Sequence, residues 1–454
     1  MFKNHIIVSM QHINPLDIKK YRKNFEKNTQ QKVVQRAVVN NGIGHSSRDS
    51  AIVQENTDVF NIEIDSGEIY DQEHSGRCWL FAAQVLLEPV IAKKLKIKKI
   101  KLSKNYTYFY DKLEMCNAFY QKIIDTKELP LTHKKVQSIL RNPQPEGGYW
   151  HEAVDLIEKY GVVPDIVMPE THASKRSNEL NQLLNEKLRA EVNELRSSEN
   201  PQETKTKKLG EIYQILATVL GTPPEKFTYD FIPQEDDKKD KQKTTKKDHH
   251  KNTKSITLTP QEFYRKYGTK LNDFFDIDFL GDYKKNTFDR VYEEDLSDMM
   301  YGKNYTSVVT KISNDIKKSM IRQLENGEPI WFWWDASKQL SAKEGVLDSE
   351  LFKYKELFGQ DWSISYEEKG LLRDSMNRLH ATAITGVYIE DGKPLRWKVK
   401  NSWGSKDLGK DGWIVMNDNY LDKYILGVSL RKKYLNAKMK KMVAQKPIKI
   451  AYWD

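Results

Sequence analysis

Apolar spacing changes character several times along the chain. Residues 15–40 are polar and charged, with helical spacing only at Ile18, Tyr21 and Phe25, which predicts a surface helix leading into an arm. Val53 to Ile69 reads as extended. From Cys78 the run Cys-Trp-Leu-Phe-Ala-Ala opens an apolar, helix-prone stretch to about Leu95. Ser103 is placed to cap an aromatic-faced helix that carries Cys116 among Leu113, Met115 and Phe119. Glu146-Gly147-Gly148-Tyr149-Trp150 is a turn before an amphipathic helix from Glu152 to Tyr160, stopped by Gly161 and Pro164. Residues 178–220 carry two long helical patterns, an αα-hairpin ended by Gly221-Thr222-Pro223-Pro224. Helical structure is expected to resume from Pro260.

Near Pro329 the pattern turns to strands. Ile330-Trp331-Phe332-Trp333-Trp334 is too apolar to alternate, as in a strand buried on both faces. His380 to Ile389 is a second strand, Asp391-Gly392 a hairpin turn signal, and Leu395, Trp397 and Val399 alternate with Arg396, Lys398 and Lys400 in a third. Gly412 to Met416 is a fourth. Helices first and strands last predict an α+β fold. The divisions expected are an N-terminal arm (1–60), a helical half bearing Cys78 (61–175), a helical insertion (176–320) and a β-rich half (321–454).

Composition narrows the class. The 454 residues, 38% of them hydrophobic, with 23 tyrosines and 10 tryptophans, suffice for a large core. Two cysteines make no disulfide framework and suit a reducing compartment. No stretch is long and apolar enough to span a bilayer, so a soluble cytoplasmic protein with no membrane partner is expected. The net charge of +10 fits acidic partners, but residues 236–254, nearly all Lys, Asp, Thr and His, supply part of it. That segment reads as a solvated loop. It lacks the stacking aromatics of a nucleic-acid surface, so only weak nucleic-acid binding is allowed for it. His249 and His250 in it have no ligand at metal spacing, and neither a metal nor a cofactor is expected.

Chemistry enters at Cys78. A thiol at a helix N-terminus faces unpaired N–H groups and the positive end of the helix dipole, which favour the nucleophilic anion. Gln72, six positions earlier across Ser75-Gly76, is placed to fold back and donate an N–H to an oxyanion beside the sulfur. A buried, inert cysteine is the competing reading for Cys78, and the one that suits Cys116. Pairing about Asp391-Gly392 brings His380 within a residue or two of Asn401, the arrangement a Cys–His–Asn site requires. Trp403 is then placed to cover the His–Asn bond. A core histidine and a turn asparagine are the bland alternatives; the set of Gln72, Cys78, His380 and Asn401 weighs against them.

These motifs, Gln72…Ser75-Gly76-Arg77-Cys78-Trp79, His380-Ala381 and Asn401-Ser402-Trp403-Gly404, resemble those of papain-like cysteine peptidases. The resemblance is to the branch containing aminopeptidase C and bleomycin hydrolase. It extends through Leu102-Ser103, Glu146-Gly147-Gly148, Leu156 to Pro164, Gly221 to Pro224 and Glu328 to Phe332. It implies a papain-like two-part fold with helical insertions. Cys78 is then the nucleophile, His380 the acid/base, Asn401 the orienting amide and Gln72 the oxyanion donor. It further implies peptide substrates and a hexameric homo-oligomer. Two departures stand out. His74 occupies a place where a small or polar residue is expected, and an exposed position is predicted for it. The chain stops at Trp453-Asp454, where the family's tail normally meets the substrate's α-amino group, so added endopeptidase activity is expected. The alternatives are an inactive ring that binds nucleic acid and a Cys-dependent acyltransferase.

Overall fold

The computed structural model describes residues 13–234, 253–280, 288–295, 299–361, 378–406 and 408–451. All of the lysine-rich loop but Thr253 and Lys254, with His249 and His250, lies outside the described residues. So do Tyr452, Trp453 and Asp454, on which the endopeptidase expectation rests.

Three helices begin the chain: α1 (Pro15–Lys27), α2 (Thr29–Ser47) and α3 (Ser50–Glu55). Asn14, Asn28 and Asp49 cap them by accepting backbone N–H groups. Leu16, Tyr21 and Val39 stay exposed on this arm. Val53 thus ends in a helix, and the extended part of that stretch holds only β1 (Ile62–Glu63). The helical half follows with α4 (Cys78–Leu95), α5 (Lys104–Asp125), α6 (Lys134–Arg141) and α7 (Trp150–Tyr160). Ser103 caps α5, its hydroxyl accepting from the Tyr106 N–H at 2.9 Å. Gly161, with φ of 76°, ends α7 in a conformation other residues avoid. Leu80, Ala83, Leu87 and Ile91 of α4 pack against Phe109, Cys116 and Tyr120 of α5 in one buried cluster. Cys116 is fully buried.

The insertion comprises α8 (His172–Lys175), α9 (Ser177–Ala190), α10 (Val192–Ser197) and α11 (Pro201–Leu220), closed by the hairpin of β2 (Phe227–Phe231) and β3 (Lys254–Leu258). Helix resumes at Pro260 as expected, but the helical reading does not hold for the stretch that follows. Among the described residues from there to Pro329, only α12 (Pro260–Tyr267) and α13 (Asn314–Glu325) are helical; between them run β4 (Phe274–Asp278), β5 (Arg290–Asp295) and β6 (Tyr305–Val309).

The remainder is β7 (Ile330–Asp335), β8 (Leu340–Ser341), β9 (Val346–Leu347), α14 (Tyr354–Phe358), β10 (Leu379–Glu390), β11 (Lys393–Lys400), β12 (Trp413–Asn417), α15 (Asp418–Tyr424), β13 (Ile425–Arg431), α16 (Ala437–Val443) and β14 (Ile448–Ala451). One sheet orders these strands β14-β5-β6-β4-β13-β7-β10-β11-β12-β9-β8, with β1 on β10. β7 is buried at every position, as its unbroken apolar run requires, because both faces are covered. One face carries Trp331, Trp333, Ala381 and Ala383 toward α4; the other packs Phe332, Trp334 and Ile384 with α13 and α15. The sheet thereby packs β10, through Ala381 and Ala383, against α4. Among the described residues no helix is long and apolar enough to cross a membrane.

Candidate active site

Cys78 is the first residue of α4, preceded by Arg77 with no side-chain cap. The N–H groups of Leu80 and Phe81 bond to the Arg77 carbonyl. The N–H groups of Cys78, Trp79 and Ala381, the residue after His380, act instead on the Cys78 sulfur, favouring its anion. The turn before Cys78 is held from within. Arg77 is buried and grips Glu170 through two N–H···O contacts, at 3.0 and 2.8 Å, while its Nε donates to Ser75 Oγ at 3.0 Å.

His380 and Asn401 come together through the β10–β11 hairpin. Asp391 and Gly392 adopt φ of 49° and 75° at its tip, as a two-residue turn demands. The register pairs Ala383 with Lys400, leaving Asn401 just beyond the ladder, where its Oδ1 lies 2.7 Å from His380 Nε2. Asn401 Oδ1 also accepts the Ser402 N–H at 2.8 Å, which fixes which way the amide faces. An amide oxygen only accepts, so Nε2 carries the proton and Nδ1 of the neutral ring is left as the base. Trp403 stacks on the imidazole, centroids 4.3 Å apart at 23°, and Trp334 meets it edge-on at 5.8 Å.

Burial lowers the His380 pKa to about 4, opposed by the Asn401 bond and helped slightly by Arg378. Burial also raises the Cys78 thiol above its ordinary value, against the N–H groups of Ala381, Trp79 and Cys78, with the Glu146 carboxylate adding to the rise. Burial thus favours the neutral thiol and the neutral imidazole. This corrects the expectation of a thiolate favoured by the helix terminus: desolvation outweighs the N–H groups.

Gln72 is buried beside this pair. Its Nε2 donates to the Ser75 carbonyl at 2.6 Å, and its Oε1 accepts from Ser402 Oγ at 2.6 Å. An amide nitrogen has two hydrogens, so a second remains to be donated. Ser402, Trp334 and Arg77 carry no sequence signal of their own for the site, although each adjoins or lies within a motif that does. His74 is exposed, as predicted, with its N–H on the Lys175 carbonyl. Among the described residues no group of three His, Cys, Asp or Glu side chains stands where it could hold a metal ion.

Comparison with known proteins gives this geometry a setting. The Peptidase C1-like family matches residues 12–454. Aminopeptidase C of Lactobacillus delbrueckii subsp. lactis is 34% identical over 449 residues, covering 96% of each chain. Aminopeptidase E of Lactobacillus helveticus is 34% identical over 445 residues, 96% of this chain and 98% of that one. The crystal structure of PepW from Lactobacillus rhamnosis HN001 superposes with a TM-score of 0.87 at 35% identity, over 98% of both chains. The papain-like arrangement of this structural neighbour is thus the fold of the present chain too. Matched over nearly its whole length, the chain belongs to the Peptidase C1-like family.

Proposed function

We propose that the chain is a cysteine aminopeptidase that releases N-terminal residues from peptides through an acyl-enzyme on Cys78. The observation that carries this reading is the His380 Nε2–Asn401 Oδ1 contact of 2.7 Å, formed one residue from Ala381, whose N–H favours the anion of Cys78. Names of relatives sharing about a third of the sequence over nearly full length support it.

The steps follow from the proton inventory. His380 Nδ1 takes the Cys78 proton as sulfur attacks the peptide carbonyl carbon. The resulting oxyanion meets the Cys78 N–H and the second hydrogen of Gln72 Nε2. The C–N bond breaks as the imidazolium returns its proton to the leaving amine, giving a thioester. Water then attacks, His380 accepts its proton, and the C–S bond breaks to free the acid and restore the thiol. Asn401 keeps the ring in the tautomer this requires, and Trp403 shields that bond from water.

Two further parts of this reading concern surroundings. Cys78 and Cys116 are both unpaired, which supports residence in a reducing cytoplasm. Exposed Leu16, Tyr21 and Val39 on the N-terminal helices support self-association into a homo-oligomer. Light scattering tests the latter: a mass several times 53.2 kDa supports it, and the monomer mass contradicts it.

The enzymatic reading is tested by hydrolysis of a leucyl coumarin amide, with peptide mapping after iodoacetamide. Turnover lost in step with alkylation of Cys78 supports it. Turnover that survives alkylation of Cys78 contradicts it.

A further inference from the structure

One carboxylate beside the nucleophile has no role in the steps above. Glu146 opens the Glu146-Gly147-Gly148 turn, which runs alongside the Ser75-Gly76-Arg77 bend, the Gly147 N–H bonding to the Gly76 carbonyl at 3.2 Å. The contact between the two loops is close. A Cβ on Gly76 would stand 2.8 Å from both the Cβ and Oε2 of Glu146, and one on Gly148 would stand 2.6 Å from the Trp79 ring. Glycine at both positions lets the loops meet there, directly before Cys78. Gly147, with φ of 91°, has nothing within 4 Å of where its Cβ would be, so the turn borders open space.

The carboxylate is held rather than free to swing. Its Oε1 accepts from Asn181 Nδ2 at 2.7 Å and from Ser177 Oγ, both on α9 of the helical insertion. That leaves Oε2 against Gly76, two residues before the nucleophile. Glu146 is nonetheless exposed to solvent. Among the described residues it forms no ion pair, and cations nearby are already engaged, Arg77 by Glu170 and Lys112 by Asp111. Its charge is felt at the Cys78 thiol.

We infer that Glu146 is a specificity determinant which receives the cationic side chain of the residue being released, so that the enzyme favours peptides beginning with lysine or arginine. This rests on the aminopeptidase reading and names its preferred substrates. The residue whose carbonyl sits at Cys78 must send its side chain out close to the sulfur. A lysine or arginine stem can lie along the bare Gly76–Gly147 surface while its head meets Oε2. A carboxylate anchored through one oxygen needs no rearrangement to accept a cation at the other.

The experiment compares kcat/KM for lysyl and norleucyl coumarin amides, of nearly equal stem length, on the full-length wild type, Glu146→Gln and Glu146→Lys. Glutamine keeps an acceptor for Asn181 and Ser177 while removing the charge. The wild type is expected to prefer lysyl. In Glu146→Gln that ratio should fall by up to roughly fivefold, the upper worth of one exposed ion pair, with norleucyl turnover kept. Glu146→Lys should favour a glutamyl substrate over the lysyl one. An equal loss on both substrates overturns the inference, because it would place Glu146 at the α-ammonium or in support of the turn. An unchanged ratio overturns it as well, while leaving the aminopeptidase reading intact. Hydrolysis of neither substrate by the wild type would overturn both.

Discussion

Ser402 holds Gln72 twice: its hydroxyl donates to Gln72 Oε1 at 2.6 Å, and its carbonyl accepts the Gln72 N–H at 2.7 Å. The residue that follows Asn401 in sequence thus aims the amide that lies six residues before Cys78. One β-rich segment positions both the imidazole's partner and the oxyanion donor, so the two chemical tasks are tied to the same piece of backbone. Ser402→Ala frees Gln72 Oε1, buried and without its donor, at a stability loss of about 1–3 kcal/mol. With the amide no longer aimed, kcat should fall by roughly tenfold or more while KM changes little, as expected when an interaction made mainly in the transition state is lost. An unchanged kcat would remove Gln72 from the oxyanion site.

Asn401→Ala tests the tautomer argument. Without Oδ1 to accept from Nε2, the neutral ring distributes its proton over both nitrogens and Nδ1 is less often bare. The expected outcome is a drop in kcat of roughly tenfold to a hundredfold, smaller than the loss on disrupting a charged aspartate–histidine pair. The alkylation rate of Cys78 should fall in parallel, since both reactions need its proton removed. A variant with normal alkylation and normal turnover would contradict the assigned role.

The pH profile follows from burial. His380 is a base only while neutral, and its pKa of about 4 lies below the ordinary value near 6.5. Activity should therefore persist through pH 5–6 and decline only as pH falls through about 4, the apparent value belonging to the Cys78–His380 pair. The same shift bears on stability. A depressed histidine contributes stability that is present above its unfolded pKa and is lost as pH falls through the folded one. Measurement of kcat/KM against pH decides the matter, and an acid limb centred near 6.5 would show a solvated imidazole instead.

Asp276 offers a stability prediction away from the chemistry. It is buried on β4, next to Asp278 and hydrogen-bonded to Ser429, and burial raises its pKa well above the ordinary value. A raised carboxyl contributes stability that is full below its unfolded pKa and is lost as pH rises through the folded one. Asp276→Asn removes that loss. The variant should melt higher than the wild type at pH 8, with the gap closing as pH falls toward 4. A gap that does not change with pH would show that Asp276 is not held protonated.

How much of this was legible in the sequence depended on local pattern. The α4 and α5 boundaries follow from an unbroken apolar run and from one serine cap. The approach of His380 to Asn401 follows from a hairpin whose turn residues set the register. β4 to β6 were not legible. In β4 Phe275 and Ile277 do alternate with Asp276 and Asp278, but the run is only five residues long and its aspartates, which pair with Ser429 and Gly427 of β13, put charge where a buried strand is not expected. Nor does sequence reveal that burial outweighs the helix terminus at Cys78. That balance depends on β7 and β10 closing over α4, a long-range contact that no local motif encodes.

The most direct test of the central claim is hydrolysis of a leucyl coumarin amide by wild type and by Cys78→Ala, with circular dichroism to establish that both are folded. The account predicts turnover by the wild type, loss of at least roughly a thousandfold in the variant, and an unchanged spectrum. Comparable turnover by folded Cys78→Ala would contradict it.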